Sequence, residues 1–228
     1  MEKVEEEGFV FLEIPSWQNN IAFPFPLTFE ISGYAYRPFQ SEDLFVVYKK
    51  KQKSHHAPHQ SESWAKEEKE QLLKCTSQAS NEKDWIFFHT HPIAVYLRFQ
   101  SLFAFPSLRD VSNFFFHYLD ALPSSPYEEM IWTVEGIYHF RIFSSPLSSN
   151  QEEEENKIKT IQEFQNVMEE LATVWNWKET SEFFQRSEIR PSDYCWWLHS
   201  TLRDIDQRKG YSIFTKHFFQ CSHLSLSF

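Results

Sequence analysis

At 228 residues the chain is long enough to bury a core without disulfide staples, as one domain with additions or as two small ones. With 22 basic against 32 acidic residues its formal charge is −10, which argues against a nucleic-acid partner. Aromatics make up 18% of the residues, with 24 Phe and 8 Trp against 4 Gly, a balance that favours large packed side chains over Gly-rich phosphate loops.

Cys75, Cys195 and Cys221 are odd in number, widely spaced and without a CxxC pair, so neither a disulfide framework nor a Cys-rich zinc knuckle is expected. The start, Met1-Glu2-Lys3-Val4-Glu5-Glu6-Glu7, is acidic and lacks the apolar centre of a secretory signal. No uncharged apolar run reaches the ~18 residues a membrane span needs. These features predict a soluble protein of a reducing compartment, cytoplasmic or nuclear, with no membrane partner.

In chain order, residues 8–14 read as a strand, and Pro15, Pro24 and Pro26 punctuate the stretch after it. The apolar segments 27–37 and 43–50 predict a hairpin across a polar turn containing Pro38. Residues 51–83 form a polar insertion, with a short charged helix expected over 63–75. His55, His56 and His59 crowd this stretch, but without carboxylates or rigid framing they read as a solvated loop.

The apolar run Trp85-Ile86-Phe87-Phe88 predicts a strand that closes on His89-Thr90-His91-Pro92. Side chains alternate along a strand, so His89 and His91 are expected on one face, a ready pair of metal ligands. Residues 107–122 carry Val111, Phe114, Phe115, Tyr118, Leu119 and Leu122 at helical spacing, ended by Pro123 and Pro126. Ser107 and Asp110 at the mouth of that helix read either as a cap, Ser with a carboxylate three residues on, or as site residues, and the two roles are compatible.

Met130 to Phe143 predicts a hairpin around Glu135-Gly136. Residues 144–156 read as a linker, and Glu152-Glu153-Glu154-Glu155 as a solvated linker or helix start. Ile158, Ile161, Phe164, Met168, Leu171 and Trp175 recur at helical spacing, and a further helix is expected from Pro191 to Arg208, with Gly210 just past its end. Trp175, Trp177, Trp196 and Trp197 are expected in the core of this C-terminal part, with an interaction surface as the other reading, and Cys195 is expected to be buried. No GxSxG, Walker loop, GxGxxG or HExxH occurs.

Two His, one Asp and one further carboxylate are what a hydrolytic zinc centre requires. His89, His91 and Asp110 would be three protein ligands that leave a fourth position for water. Glu30, in Glu30-Ile31-Ser32-Gly33 at the head of a strand, can accept the water proton if that strand lies beside the His pair. Ser107 can donate a hydrogen bond to the carbonyl oxygen as negative charge develops there.

The ordered set Glu30-x-x-Gly33, His89-x-His91-Pro92 and Ser107-x-x-Asp110 resembles the JAMM signature of the JAB1/MPN metalloprotease family. The likeness spans roughly residues 8 to 143, and Val134-Glu135-Gly136-Ile137-Tyr138-His139-Phe140 is similar to the hairpin that comes after the family's helix. The helical spacing beyond it predicts a helical C-terminal extension over 149–228, and the likeness implies an α+β fold, a central mixed β-sheet flanked by helices, over residues 1–148. It further implies Zn2+ on His89, His91 and Asp110, Glu30 as acid/base and Ser107 as oxyanion partner. The implied activity is a zinc-dependent isopeptidase acting on ubiquitin or ubiquitin-like conjugates.

One departure stands out. The family usually places seven residues between the second His and the Ser, and here Pro92 to Pro106 makes fifteen. The stretch 93–105, which holds the excess, is apolar and aromatic, with Tyr96, Phe99, Phe103 and Phe105, and must sit beside the site. That loop keeps a second expectation open, a catalytically silent JAB/MPN-like scaffolding subunit of a larger protein assembly. A third is a plain α+β binding domain whose His pair is coincidental.

Overall fold

The computed structural model describes residues 2–6, 9–16, 23–25, 28–37, 42–49, 85–93, 95–96, 102–121, 127–143, 152–175, 189–211, 213–216 and 219–225. Eight strands lie in one sheet: β1 (Glu2–Glu6), β2 (Phe9–Ile14), β3 (Ser32–Tyr36), β4 (Leu44–Lys49), β5 (Trp85–Thr90), β6 (Tyr127–Trp132), β7 (Gly136–Ile142) and β8 (Phe219–Ser225). Their order across the sheet is β1-β2-β4-β3-β5-β6-β7-β8. Among the described residues the helices are α1 (Leu108–Ala121), α2 (Glu152–Trp175), α3 (Pro191–Lys209) and the single turn α4 (Ile213–Lys216). The fold is α+β, as expected. No helix among the described residues is long and apolar enough to cross a membrane.

The sheet is mixed. β1–β2, β2–β4, β4–β3 and β3–β5 pair antiparallel, whereas β5–β6 pair parallel. Parallel neighbours need a long crossover, and in the chain α1 lies between β5 and β6. The expected hairpin of β3 with β4 and the turn between β6 and β7 are both present. In that turn Thr133 Oγ1 accepts from Gly136 N at 3.1 Å and donates to Gly136 O at 2.8 Å.

Contacts divide the described chain into two compact units. The first takes in Met1–Arg98, Glu128–Tyr138 and Leu224–Phe228. Its core follows strand alternation: Leu12, Val46, Ala35, Ile86, Phe88 and Met130 lie on one face with Phe25, Ile31 and Trp132. On the other face Phe9, Phe11, Tyr36 and Val47 cluster, with Tyr34 and Phe45 against them. Burial of each such side chain contributes roughly 1.5–3 kcal/mol. Gly33 has no alternative at its position, because a Cβ there would lie 2.1 Å from Val47 O and 2.9 Å from Phe88 Cε1. Only a residue without a side chain lets β3 and β4 approach this closely.

The second unit takes in Phe99–Tyr127 and His139–His223. The α1 stripe buries Val111, Phe114, Phe115 and Tyr118, as the helical spacing predicts. Phe115 meets the rings of Phe164, Phe214 and Phe219 at centroid separations of 5.1, 5.4 and 5.1 Å. From α2, Phe164, Val167, Met168, Leu171 and Trp175 are buried. Pro191 opens α3 and Gly210 closes it in the left-handed region at φ 73°, donating to Asp206 O and Gln207 O. The four expected Trp divide: Trp175 is buried edge-on against Trp197 at 5.0 Å, Trp196 is 72% exposed, and Trp177 lies outside the described residues. Cys195 is buried as expected, its Sγ 3.1 Å from that of Cys221.

Two strands go beyond the sequence expectation. β1 is acidic and β8 (Phe-Gln-Cys-Ser-His-Leu-Ser) is largely polar, so neither carries a strong period-two signal, yet each extends an end of the sheet. α2 begins at Glu152, inside the stretch 144–156 expected as a linker, because the acidic run suits the positive end of a helix. The insertion 51–83, with the helix expected over 63–75 and His55, His56 and His59, lies outside the described residues, as do 144–151 and 176–188.

Candidate metal centre

β5 ends at Thr90, and His91 comes directly after it, its N donating to Trp132 O at 2.8 Å. The rings of His89 and His91 lie side by side, centroids 5.3 Å apart, as strand alternation requires. Both imidazoles are buried, His89 at 5% and His91 at 7% exposure. Phe87, two residues back on the same face, lies 6.4 Å from the His89 ring and 5.8 Å from that of Tyr34.

Strand β3 fixes the other side of this edge. Ser32 pairs with His89, and the next step is held twice: Thr90 N donates to Ile31 O at 2.8 Å and Ile31 N to Thr90 Oγ1 at 2.9 Å. Glu30 comes directly before Ile31 in the chain, ahead of β3. Registered partners share a face, so Ser32 and His89 belong to the same side of the sheet, where the His91 ring also lies. Glu30 is half-buried.

Ser107 and Asp110 form the reciprocal cap that their spacing predicts. Asp110 N donates to Ser107 Oγ at 3.2 Å, and Ser107 N donates to Asp110 Oδ2 at 2.5 Å. Val111 N donates to Ser107 O at 3.1 Å, and so α1 starts squarely at Leu108. The cap occupies Asp110 Oδ2 and uses Ser107 Oγ as an acceptor, so the hydroxyl proton remains for donation elsewhere.

The decisive geometry is that His89, His91 and Asp110 each offer a ligand atom and these atoms all lie within 4.8 Å of one another. Among the described residues this is the only group of three or more His, Cys, Asp or Glu so disposed. Two imidazole nitrogens and one carboxylate oxygen are a donor set that suits a divalent transition metal with an open position. The residues therefore fit a metal ion. Of the five expected site residues, three converge; Glu30 lies just ahead of β3, and Ser107 caps the helix that carries Asp110.

One residue escaped the sequence reading. Glu129 of β6 is 2% exposed, and its Oε1 lies 3.5 Å from His89 Nδ1. The Glu128-Glu129 pair inside the strand Tyr127–Trp132 is the sequence hint, since nothing local places β6 parallel to β5.

The described residues at each end of the stretch 93–105 make separate contacts. Pro92 O accepts from Val95 N at 2.9 Å in a tight turn, and Tyr96 then reaches the β6–β7 turn. There Tyr96 OH donates to the Glu135 carboxylate and accepts from Val134 N at 2.9 Å. Burial, and then the Glu135 charge, push the Tyr96 phenol well above its usual range, so it stays a donor. At the other end Phe105 stacks on Tyr194 at 5.1 Å, and Tyr194 OH donates to Pro106 O at 2.9 Å. The chain matches no protein-family model, no curated protein and no solved structure, so the assignment of this centre rests on its own residues.

Proposed function

We propose that the chain is a zinc-dependent isopeptidase of the JAMM type, hydrolysing the amide that joins a ubiquitin-like protein to its conjugate. The observation that carries the proposal is the convergence of His89, His91 and Asp110. His89, His91 and Asp110 would hold the ion. Bound zinc supplies a Lewis acid that brings the pKa of its water to about 7.

The chain's own residues do the rest. Glu30 receives the water proton and returns it to the leaving amine, so one carboxylate serves as base and then as acid. Ser107 donates its hydroxyl proton to the carbonyl oxygen as charge builds there. The buried imidazole pair and the aromatic floor of Phe87 and Tyr34 keep the surroundings poor in water, which strengthens each electrostatic contact.

Metal analysis of the purified chain, combined with turnover of a fluorogenic ubiquitin-like substrate, tests this. About one zinc per chain, chelator-sensitive cleavage, and a Glu30→Gln variant that keeps zinc but loses turnover are expected. A chain that retains no metal overturns the assignment. A zinc-loaded chain that cleaves no conjugate or linker peptide is instead the silent scaffolding module.

A further inference from the structure

We propose that Glu129 is a positioning residue of the metal centre, holding the Nδ1–H of His89 so that Nε2 of the same ring is the metal ligand. This rests on the metal-binding assignment above and adds a residue to it. β6 runs parallel to β5 with Phe87 opposite Glu129 and His89 opposite Ile131. Registered residues and their second neighbours share a face, so Glu129 and His89 project to the same side. Glu129 Oε1 lies 3.5 Å from His89 Nδ1, and both side chains are buried, at 2% and 7% exposure.

A separation of 3.5 Å is the outer edge of hydrogen-bond range, and contacts of this kind commonly tighten when a site is filled. A neutral imidazole carries one N–H. Donation from Nδ1 therefore leaves the lone pair on Nε2, which is itself buried. A carboxylate behind a ligating His fixes the ring's tautomer and rotation and makes the ligating nitrogen more basic.

The neighbouring carboxylate is a built-in comparison. Glu128 points to the opposite face and meets a cation, with Arg37 Nη2 3.5 Å from its Oε1. Two buried acids in consecutive positions of one strand thus face different partners. Burying a carboxylate is costly unless it is paired, and an imidazole stands beside Glu129.

Zinc competition titrations on the full chain test the proposal. Glu129→Ala should weaken zinc binding about 10–100-fold, and Glu129→Gln less, because the amide oxygen still accepts from Nδ1. Glu128→Gln should bind zinc as the parent does, which separates positioning from general damage to β6. Long-range 1H–15N spectra of the zinc-loaded parent should show His89 protonated on Nδ1 and metal-bound through Nε2, a readout that stands even if Glu129→Ala does not fold. Zinc affinity of Glu129→Ala within twofold of the parent, equal losses in the Glu128 variant, or metal on Nδ1 would each overturn the proposal. A parent chain that binds no zinc overturns the metal centre itself, a distinct result.

Discussion

Ile31 and Thr90 hold each other by two hydrogen bonds, Thr90 N to Ile31 O at 2.8 Å and Ile31 N to Thr90 Oγ1 at 2.9 Å, and both residues are fully buried. This clasp sits where β3 begins and β5 ends, one residue from Glu30 on one strand and between His89 and His91 on the other. It makes the relative placement of the two strand ends a matter of hydrogen bonding instead of loose packing.

Thr90→Val keeps the shape but leaves the buried Ile31 N–H without its side-chain acceptor. Such an orphan costs about 1–3 kcal/mol. Urea denaturation should show a lower midpoint at an unchanged slope, while Thr90→Ser, which keeps the hydroxyl, stays closer to the parent. Equal midpoints for Thr90→Val and the parent would mean that the clasp carries no weight.

Gly33→Ala tests the close approach of β3 to β4. Its Cβ meets a backbone carbonyl at 2.1 Å, and a carbonyl in a paired strand cannot rotate aside. Overpacking of this kind costs about 1–3 kcal/mol, and the upper end applies here. A variant that melts with the parent would contradict the β3–β4 register.

Ser107 and Asp110 separate capping from metal binding. Ser107→Ala loses one cap bond, destabilises by about 0.5–2 kcal/mol, and should still bind zinc. Asp110→Ala loses a cap bond and a ligand, so its zinc affinity should fall sharply as well. Calorimetric zinc titration beside thermal melts checks both, and comparable zinc affinity in the two variants would remove Asp110 from the ligand set.

Acid should weaken the second unit through its histidines. Burial lowers the His223 imidazole from the ordinary 6.5 to about 4. His199 is lowered by burial first and then by the Arg203 charge. Between those limits the unfolded chain binds protons that the folded chain does not, so stability is complete above pH 6.5 and declines toward pH 4. His223→Gln should flatten that decline in melting temperatures measured from about pH 7.5 to about pH 4.5. An identical pH profile in the variant would show that His223 is not responsible.

The local parts of the centre were legible because their geometry is a property of a few consecutive residues. Alternation along β5 puts His89 and His91 on one face whatever surrounds them, and Ser107 with Asp110 forms a cap because a helix start exposes N–H groups at that spacing. Pro191 and Gly210 bound α3 for equally local reasons, a fixed φ at one end and a left-handed residue at the other. The Phe and Tyr stripe of α1 likewise declared its buried face.

Only the tertiary structure brings the Asp110 carboxylate within 4.8 Å of two histidines some twenty residues upstream, sets β3 against β5 so that Ser32 pairs with His89, and lays β6 parallel to β5 so that Glu129 stands behind His89. β1 and β8 joined the sheet without a strong pattern of their own. These are pairings between distant segments, chosen by burial and by the satisfaction of backbone hydrogen bonds over the whole sheet, and no window of consecutive residues contains that balance.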